Sequence, residues 1–252
     1  MTTPRLARRS ALVTGSTDGI GAGVAQALAA EGAHVIVTGR NAQRGAEQIA
    51  LITGAGGRAD FVAADMAGGS TAIRALVDEA TALAGGHLDI LVNNAALLIT
   101  PGPTAEVDES LIDDALAVNI KSVFVLTGLV APAMAARGQG AIINMGSISG
   151  LIGMSGSALY NMTKAAIHSL SKSWAAEYAP FGVRVNTVAP GPTLTARNEE
   201  IKDLLAPMLA RLPSGRASTL AEVAAAVVFF ASDDATNIHG ALLSIDGGWA
   251  AI

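Results

Sequence analysis

The sequence predicts an α/β fold in which a doubly wound, Rossmann-type parallel sheet of about seven strands carries helices on both faces. Two observations support this class. Short β-branched-rich runs alternate with longer Ala-rich stretches, and the short runs are apolar at most positions. A strand that is apolar on both faces belongs in a sheet covered on both sides, which is typical of parallel sheets. Alternation of strands and helices along the chain favours the same architecture.

Each element follows from its own run of residues. The predicted strands are Ala11–Thr14, His34–Thr38, Asp60–Ala63, Leu88–Val92, Ala141–Met145, Val183–Val188 and Leu242–Ile245. The predicted helices include Gly21–Glu31, Ser70–Leu83, Leu111–Arg137, Ser157–Ala179 and Leu220–Ala231. The stretch Pro190–Ser214 mixes proline, threonine and charge with apolar residues, so it predicts a substrate loop with a short helix. We expect one dinucleotide-binding catalytic domain over residues 1–252.

Composition restricts the classes of function. The formal net charge of −5 gives no support for binding to nucleic acid or an anionic membrane. The chain has no cysteine, which excludes disulfides and thiolate chemistry, and its four histidines lack metal-ligand spacing. No apolar run approaches the ~18 residues of a membrane span, so we expect a cytoplasmic protein.

Distinctive residues follow successive predicted strands. They are Gly15, Arg40, Asp65, Asn93, Ser147 and Pro190. Ligands of open α/β sheets bind beyond the carboxyl ends of the strands. The sequence therefore predicts a binding site along one edge of the sheet.

The glycine-rich segment Thr14–Gly21 joins the first strand to a helix and indicates a dinucleotide site. Its glycines, at positions 15, 19 and 21, permit a tight turn and a close backbone approach to phosphate. The helix start that follows offers free N–H groups. The spacing differs from the Gly-x-Gly-x-x-Gly fingerprint.

Arg40 bears on which dinucleotide is bound. An acid at the end of the second strand would accept from a ribose 2′-OH, whereas an arginine can hold a 2′-phosphate. No acid stands at Thr38, Gly39 or Arg40, so NADP(H) is favoured and NAD(H) is the alternative. Asp18, in the same region, argues against NADP(H). Asp65 is either an acceptor for the adenine amino group or a strand-end cap.

Tyr160 and Lys164 form a Tyr-x-x-x-Lys pair whose side chains share one face of a helix. A phenol has a pKa of about 10, and a nearby cation lowers it. The pair is therefore a candidate general acid/base, with Ser147 as a hydrogen-bonding group for an oxygen. The alternative is a pair of helix-surface residues.

Together these motifs resemble the short-chain dehydrogenase/reductase family from Thr14 to Gly248. The resemblance rests on the glycine segment, Asn93-Asn94-Ala95, Asn119, Ser147, Tyr160-x-x-x-Lys164, Pro190-Gly191 and Asp246-Gly247-Gly248. The general run of the sequence is similar to 3-oxoacyl-carrier-protein reductases and related alcohol and ketone dehydrogenases. Ala96 departs from the family's usual glycine.

The resemblance implies an oxidoreductase that interconverts a carbonyl and a secondary alcohol. Tyr160 would exchange the proton with the substrate oxygen, and Lys164 would lower the pKa of Tyr160 and bind the nicotinamide ribose. Ser147 would orient the substrate oxygen, and Asn119 would hold a water that links Lys164 to solvent. The expected cofactor contacts are Gly15, Ser16, Thr17, Asp18, Gly19, Ile20, Gly21, Arg40, Asp65, Met66, Asn93, Ala95, Tyr160, Lys164, Pro190, Gly191, Thr193 and Thr195.

Several assignments keep an alternative. Ser149 competes with Ser147, and Thr193 competes with Thr195 for the nicotinamide carboxamide. Asn119 could be a buried amide bonded only to backbone. A regulator without catalysis, and an isomerase or dehydratase on the same fold, are the competing functions. The intact Ser147, Tyr160 and Lys164 argue against both.

Apolar residues predict the class of substrate, and the low charge content bears on the oligomeric state. The substrate is expected to be a hydrophobic or only moderately polar carbonyl compound, because its region is crowded by Leu97, Leu98, Leu151, Met154 and Leu194. Arg197 and Lys202 are expected to be surface charges, or else contacts to an acidic carrier or to a coenzyme A phosphate. Charged residues are only 15% of the chain, which together with the family favours a homotetramer through Leu111–Arg137 and Ser157–Ala179.

Overall fold

The computed structural model describes residues 4–195 and 209–252, and its centre is one seven-stranded sheet. The strands are β1 Ser10–Val13, β2 His34–Gly39, β3 Arg58–Ala63, β4 Ile90–Asn93, β5 Gly140–Met145, β6 Val183–Pro190 and β7 Leu242–Ile245. All neighbours pair in parallel, in the order β3-β2-β1-β4-β5-β6-β7. The order reverses between β1 and β4, where such sheets form their ligand crevice. The predicted fold class is confirmed.

Helices of the described residues cover both faces of the sheet. They are α1 Gly19–Ala30, α2 Ala42–Gly54, α3 Gly69–Leu83, α4 Glu109–Leu116, α5 Ser122–Arg137, α6 Ala158–Tyr178 and α7 Leu220–Ala231. Helices α1, α2 and α7 pack on one face, and α3, α5 and α6 pack on the other. The sequence-based prediction did not name α2, whose apolar stripe is narrow because its buried residues are Gly45, Gln48 and Ile52.

Successive residues of a strand enter different cores. Ala11 and Val13 of β1 lie in the core under α1 and α7, whereas Leu12 lies in the core under α3, α5 and α6. Val35 and Ile36 of β2 divide in the same way. Both faces of the inner strands are therefore buried, which is why those strands are apolar at consecutive positions, whereas the edge strands β3 and β7 are only partly buried.

A π-helical turn, Ala117–Lys121, joins α4 to α5, so Glu109–Arg137 is one interrupted helical stretch. It has 29 residues, its most apolar window of 18 residues has a mean hydropathy of 1.7, and it is the one described helix long and apolar enough to cross a membrane. A core helix meets the same criteria, and Leu126, Val130 and Met134 of this stretch lie in the second core.

Candidate active site

A cavity of about 600 Å³ follows the carboxyl edge of the sheet. Its volume is usual for a small-molecule or cofactor site. Most of the predicted cofactor contacts line it, from the glycine loop to α6 and the segment after β6. These are Gly15, Thr17, Asp18, Gly19, Ile20, Gly21, Arg40, Asp65, Met66, Ala95, Tyr160, Lys164, Pro190, Gly191, Thr193 and Thr195.

The glycine loop between β1 and α1 forms a cradle of bare backbone. Gly15 and Gly19 have φ values of +62° and +55°, which residues with a side chain rarely adopt. A Cβ on Gly21 would overlap the carbonyl oxygen of Gly15 and the amide of Asn94. The Asp18 carboxylate accepts a hydrogen bond from the Gly19 N–H at 2.7 Å and so caps α1. The first residues of α1 line the cavity. The other free N–H groups at this helix start suit the pyrophosphate of a dinucleotide.

Two predicted cofactor contacts, Ser16 and Asn93, do not line the cavity. The Ser16 hydroxyl is fully buried, donates to the Val13 carbonyl at 2.6 Å and accepts from the Thr38 N–H at 3.0 Å. The Asn93 amide is buried and donates to the Asn144 carboxamide oxygen at 2.8 Å, across β4 and β5. Their roles as cofactor contacts stay predictions, and in the structure both side chains are used inside the protein to hold the loop and the sheet.

The end of the cavity beside β2 and β3 contains the charged residues. Arg40 is exposed at its wall. Asp18, whose charge argued against a phosphate, is ion-paired with Arg44 at 3.3 Å. One Asp65 oxygen accepts from the Ala67 N–H at 2.9 Å, so Asp65 is a strand-end cap that also lines the cavity.

Asn94 is a lining residue that belongs to the motif Asn93-Asn94-Ala95 but was not among the predicted cofactor contacts. Its Nδ2 donates to the carbonyl oxygens of Thr14 at 2.9 Å and Gly15 at 3.1 Å, so it ties the glycine loop to the end of β4. Its place beside Asn93 was the signal that could have identified it. Further lining residues that were not assigned as contacts are Thr38, Gly39, Ala64, Ala67, Ala96, Val118, Met145, Gly146 and Pro192.

Tyr160 lies in the cavity wall with Ser147 beside it. Burial raises the pKa of the Tyr160 phenol, and a hydrogen bond from the Ser147 side chain partly opposes this. The Ser147 hydroxyl also accepts from the Ser149 N–H at 3.1 Å, so it caps the short 3₁₀ turn that follows. Of the two competing serines, Ser147 is the one that reaches the tyrosine.

Lys164 lies one helical turn beyond Tyr160 and is 5% exposed. Its Nζ donates to the Met145 carbonyl oxygen at 2.8 Å and lies 5.7 Å from the centre of the Tyr160 ring. Burial lowers the pKa of the Lys164 ammonium to about 8. The expected lowering of the pKa of Tyr160 by Lys164 stays a prediction, and burial of the phenol acts in the opposite direction.

Lys164→Met is expected to raise the free energy of unfolding at pH 7 by about 2 kcal/mol. The folded-state pKa, about 8, lies below the ordinary 10.5, so the folded protein binds fewer protons between these values. Wild-type stability therefore rises with pH across this window, and the buried ammonium is most costly below it. The advantage of the variant should shrink as the pH approaches 10.5.

Urea unfolding at pH 7 and pH 10 measures this difference. Lys172→Met, on the exposed side of the same helix, is the matched control and should change stability little. A Lys164→Met protein less stable than wild type at pH 7 would show that the hydrogen bond to Met145 outweighs the cost of burial.

Asn119 lies in the π-helical turn and is buried. Its Oδ1 accepts from the Leu97 N–H at 2.7 Å, and its Nδ2 donates to the Leu97 carbonyl at 3.1 Å and to the Thr163 hydroxyl at 3.3 Å. Both N–H donors of the carboxamide are used by the protein. The side chain is a buried amide that bonds to a side chain as well as to backbone, and it holds the segment that lines the cavity. Its role in holding a water stays a prediction.

Apolar side chains lie on the substrate side of the cavity. Leu97 and Leu98 line it, and Leu98 is 63% exposed. Leu151 and Leu194 are exposed as well. The Leu194 N–H donates to the Ser218 carbonyl at 2.8 Å, which anchors the start of the predicted substrate loop. Arg197 and Lys202 lie outside the described residues.

Comparison with known proteins gives a consistent picture. A family model described as enoyl-(acyl carrier protein) reductase matches residues 15–250. The chain is 38% identical over 248 residues to cis-4-hydroxycyclohexanecarboxylate dehydrogenase of Sinomonas cyclohexanicum, covering 98% of each chain. A solved short-chain dehydrogenase/reductase family protein is 40% identical, with a TM-score of 0.89 over 98% of this chain and 100% of the other. A gluconate 5-dehydrogenase of Burkholderia cenocepacia J2315, in complex with NADP and tartrate, is 34% identical with a TM-score of 0.92, covering 99% and 98%.

Proposed function

The chain belongs to the short-chain dehydrogenase/reductase family, and from this we propose that it interconverts a ketone and a secondary alcohol with NADP(H). The observation that carries the proposal is the position of Tyr160 in the cavity wall, with Ser147 beside its phenol and Lys164 one turn behind it. We take residues 1–252 as one catalytic domain with its substrate loop at about 190–214.

The residues that line the cavity support one orientation of the bound dinucleotide. The bare backbone at Gly15, Gly19 and Gly21 would hold the pyrophosphate, and Lys164 would reach the nicotinamide ribose. Thr195 is proposed for the nicotinamide carboxamide, because the Thr193 hydroxyl already donates to the Gly191 carbonyl at 3.1 Å. When bound, the reduced nicotinamide supplies a hydride.

The charges near β2 support NADP(H) over NAD(H). Arg40 lines the cavity and has no ion-pair partner in the part of the chain that the structure describes. The Asp18 charge, which would repel a phosphate, is offset by Arg44. A free guanidinium beside a neutralised carboxylate favours a 2′-phosphate.

The state of the phenol supports a role as proton donor. Its raised pKa keeps Tyr160 protonated near neutral pH, which is the form that carbonyl reduction requires. The Ser147 hydroxyl next to it is placed to hold the carbonyl oxygen. Oxidation of an alcohol requires the phenolate, so we expect the rate of oxidation to rise with pH more steeply than the rate of reduction.

The apolar residues at the cavity support a hydrophobic ketone or alcohol as substrate. Leu97 and Leu98 offer no charge to a substrate, and exposed leucines are suited to bury an apolar ring or chain. The relative that acts on a hydroxycyclohexane carboxylate makes cyclic secondary alcohols the first class to try.

Exposed apolar side chains on α4, α5 and α6 support a homotetramer. Leu116, Phe124 and Met162 are 39%, 54% and 47% exposed, and Phe124 packs at 5.7 Å on the ring of Trp174. Such residues favour burial against another copy. Light scattering at micromolar concentration should give four times the chain mass of 25.2 kDa, and a monomeric mass would contradict the proposal. The absence of cysteine fits a cytoplasmic location.

Two titrations and one assay test the proposed function. NADPH and NADH are titrated separately by fluorescence, and NADPH is expected to bind more tightly. Absorbance of the reduced cofactor is then followed with cyclic ketones, β-ketoesters, diketones and secondary alcohols. Binding of neither cofactor below millimolar concentration would overturn the proposal.

A further inference from the structure

His168 continues the line of functional groups on α6. It follows Lys164 by one helical turn and Tyr160 by two, so the three side chains share one face of the helix. His168 is buried, with 7% exposure, and it does not line the cavity. The proposed mechanism gives this buried imidazole no role. The spacing of the histidines along the chain does not indicate a metal site either.

The imidazole fills a space that two glycines leave open around Ser147. A Cβ on Gly146 would lie 2.8 Å from Cδ2 of the ring and overlap Nε2. A Cβ on Gly150 would lie 2.5 Å from Cε1 and 2.8 Å from Nδ1. The ring therefore packs directly on the backbone of residues 146–150, the segment that presents the Ser147 hydroxyl to Tyr160.

One polar contact accompanies this packing. Nε2 of His168 accepts a hydrogen bond from the Ser147 N–H at 3.4 Å. One turn earlier, Nζ of Lys164 donates to the carbonyl of Met145 at 2.8 Å. Lys164 and His168, on consecutive turns of α6, thus bind Met145 and Ser147, the residues on either side of Gly146.

The contact fixes both the charge and the tautomer of the ring. Nε2 can accept only when it is unprotonated, so the proton of the neutral ring is on Nδ1. Nδ1 has no hydrogen bond of normal geometry within the described residues, but the backbone of Gly150 lies beside it and acts as a weak hydrogen-bond partner of the ring. Burial, followed by the ammonium groups of Lys164 and Lys172, lowers the pKa of His168 to about 4, and the Gly150 backbone opposes this only in part. The packed segment 146–150 carries no titratable side chain.

We propose that His168 is a positioning residue that acts through Ser147, holding the segment 146–150 so that the Ser147 hydroxyl faces Tyr160. The proposal rests on the proposed function for its kinetic consequences, but the tautomer of the ring does not depend on it. An error of about 1 Å in the place of a group at the reacting centre can lower a rate by about 10²-fold.

Kinetics of two variants test this role. His168→Leu keeps an apolar side chain but removes the acceptor, and we expect kcat to fall by about 10–100-fold while the Kd for NADPH stays within about threefold. His168→Gln places an amide oxygen near the position of Nε2 and should restore kcat to within about fivefold of wild type. His239→Leu is the matched control, because its Nδ1 is also buried without a partner and it does not line the cavity.

A double-mutant cycle separates positioning from general stability. In a Ser147→Ala background, His168→Leu should lower kcat by less than about twofold further, because the group it positions is gone. Equal losses in both backgrounds, or a Gln variant as slow as the Leu variant, would overturn the proposal.

Nitrogen NMR of ¹⁵N-histidine-labelled wild-type protein supplies the test that needs no turnover and no folded variant. The His168 ring is expected to show an unprotonated Nε2 and a protonated Nδ1 from pH 6 to pH 8. A proton on Nε2, or a charged ring at pH 6, would overturn the proposal. Absence of wild-type turnover with this NMR result would instead reject the proposed function alone.

Discussion

Tyr160→Phe is expected to lower kcat for carbonyl reduction by about 10³-fold, the loss typical of removing a general acid. The substitution removes only the phenol oxygen, so the ring still fills the cavity wall between Ser147 and Lys164. The Kd for NADPH should change by less than about threefold, because Tyr160 contributes one of many cofactor contacts. Steady-state kinetics and fluorescence titration measure the two quantities.

The second tyrosine of the chain provides the matched control. Tyr178 ends α6, away from the cavity, and Tyr178→Phe should leave kcat within about twofold of wild type. Retention of wild-type turnover by Tyr160→Phe would remove Tyr160 from the mechanism.

Arg40→Asp is expected to raise the Kd for NADPH by about 100-fold or more while changing the Kd for NADH by less than about threefold. Arg40 lines the cavity beside β2 without an ion-pair partner among the described residues, so its charge is available to a 2′-phosphate. The new carboxylate would repel that phosphate and could accept from a 2′-OH instead. NADH lacks the phosphate and therefore loses nothing to the substitution.

Titration of both cofactors against Arg40→Asp measures this selectivity. Arg74→Asp makes the same change of charge at an exposed site on α3 that does not line the cavity, and it should leave the ratio of the two affinities unchanged. Equal weakening of NADPH and NADH by Arg40→Asp would refute the role in binding the 2′-phosphate.

The sequence predicted the sheet and its functional edge because both depend on local patterns. A strand buried on both faces must be apolar throughout, and residues that follow parallel strands must meet at one edge. Gly15, Arg40, Asp65 and Pro190 therefore came together as expected. Tyr160 and Lys164 share a helix, so their spacing determined their relation as well.

The direction of a polar side chain was less predictable. Ser16 and Asn93 follow or end strands at the binding edge, yet their side chains point into the protein, where they bond to Thr38 and Asn144. Whether such a side chain turns inward depends on partners far away in sequence. No motif of the chain reports those partners.

Asn119 and His168 show two further limits of structure prediction from the sequence. A π-helical turn inserts one extra residue into a helical stretch without a residue type that marks it, so the engagement of Asn119 with Leu97 could not be foreseen. His168 appeared as an isolated histidine, because the glycines that receive its ring lie on another element. The effect of burial on the pKa of Tyr160 was likewise invisible, since it depends on the depth of the site.

Deuterium transfer is the most direct test of the central claim, that this cavity moves a hydride to a carbonyl with Tyr160 as the proton donor. The enzyme is incubated with NADPH that carries deuterium at both C4 positions and a cyclic ketone, and the alcohol is analysed by mass spectrometry. We predict one deuterium on the alcohol carbon with wild-type protein and a yield lowered by about 10³-fold with Tyr160→Phe. Alcohol without deuterium, or equal yields from the two proteins, would contradict the account.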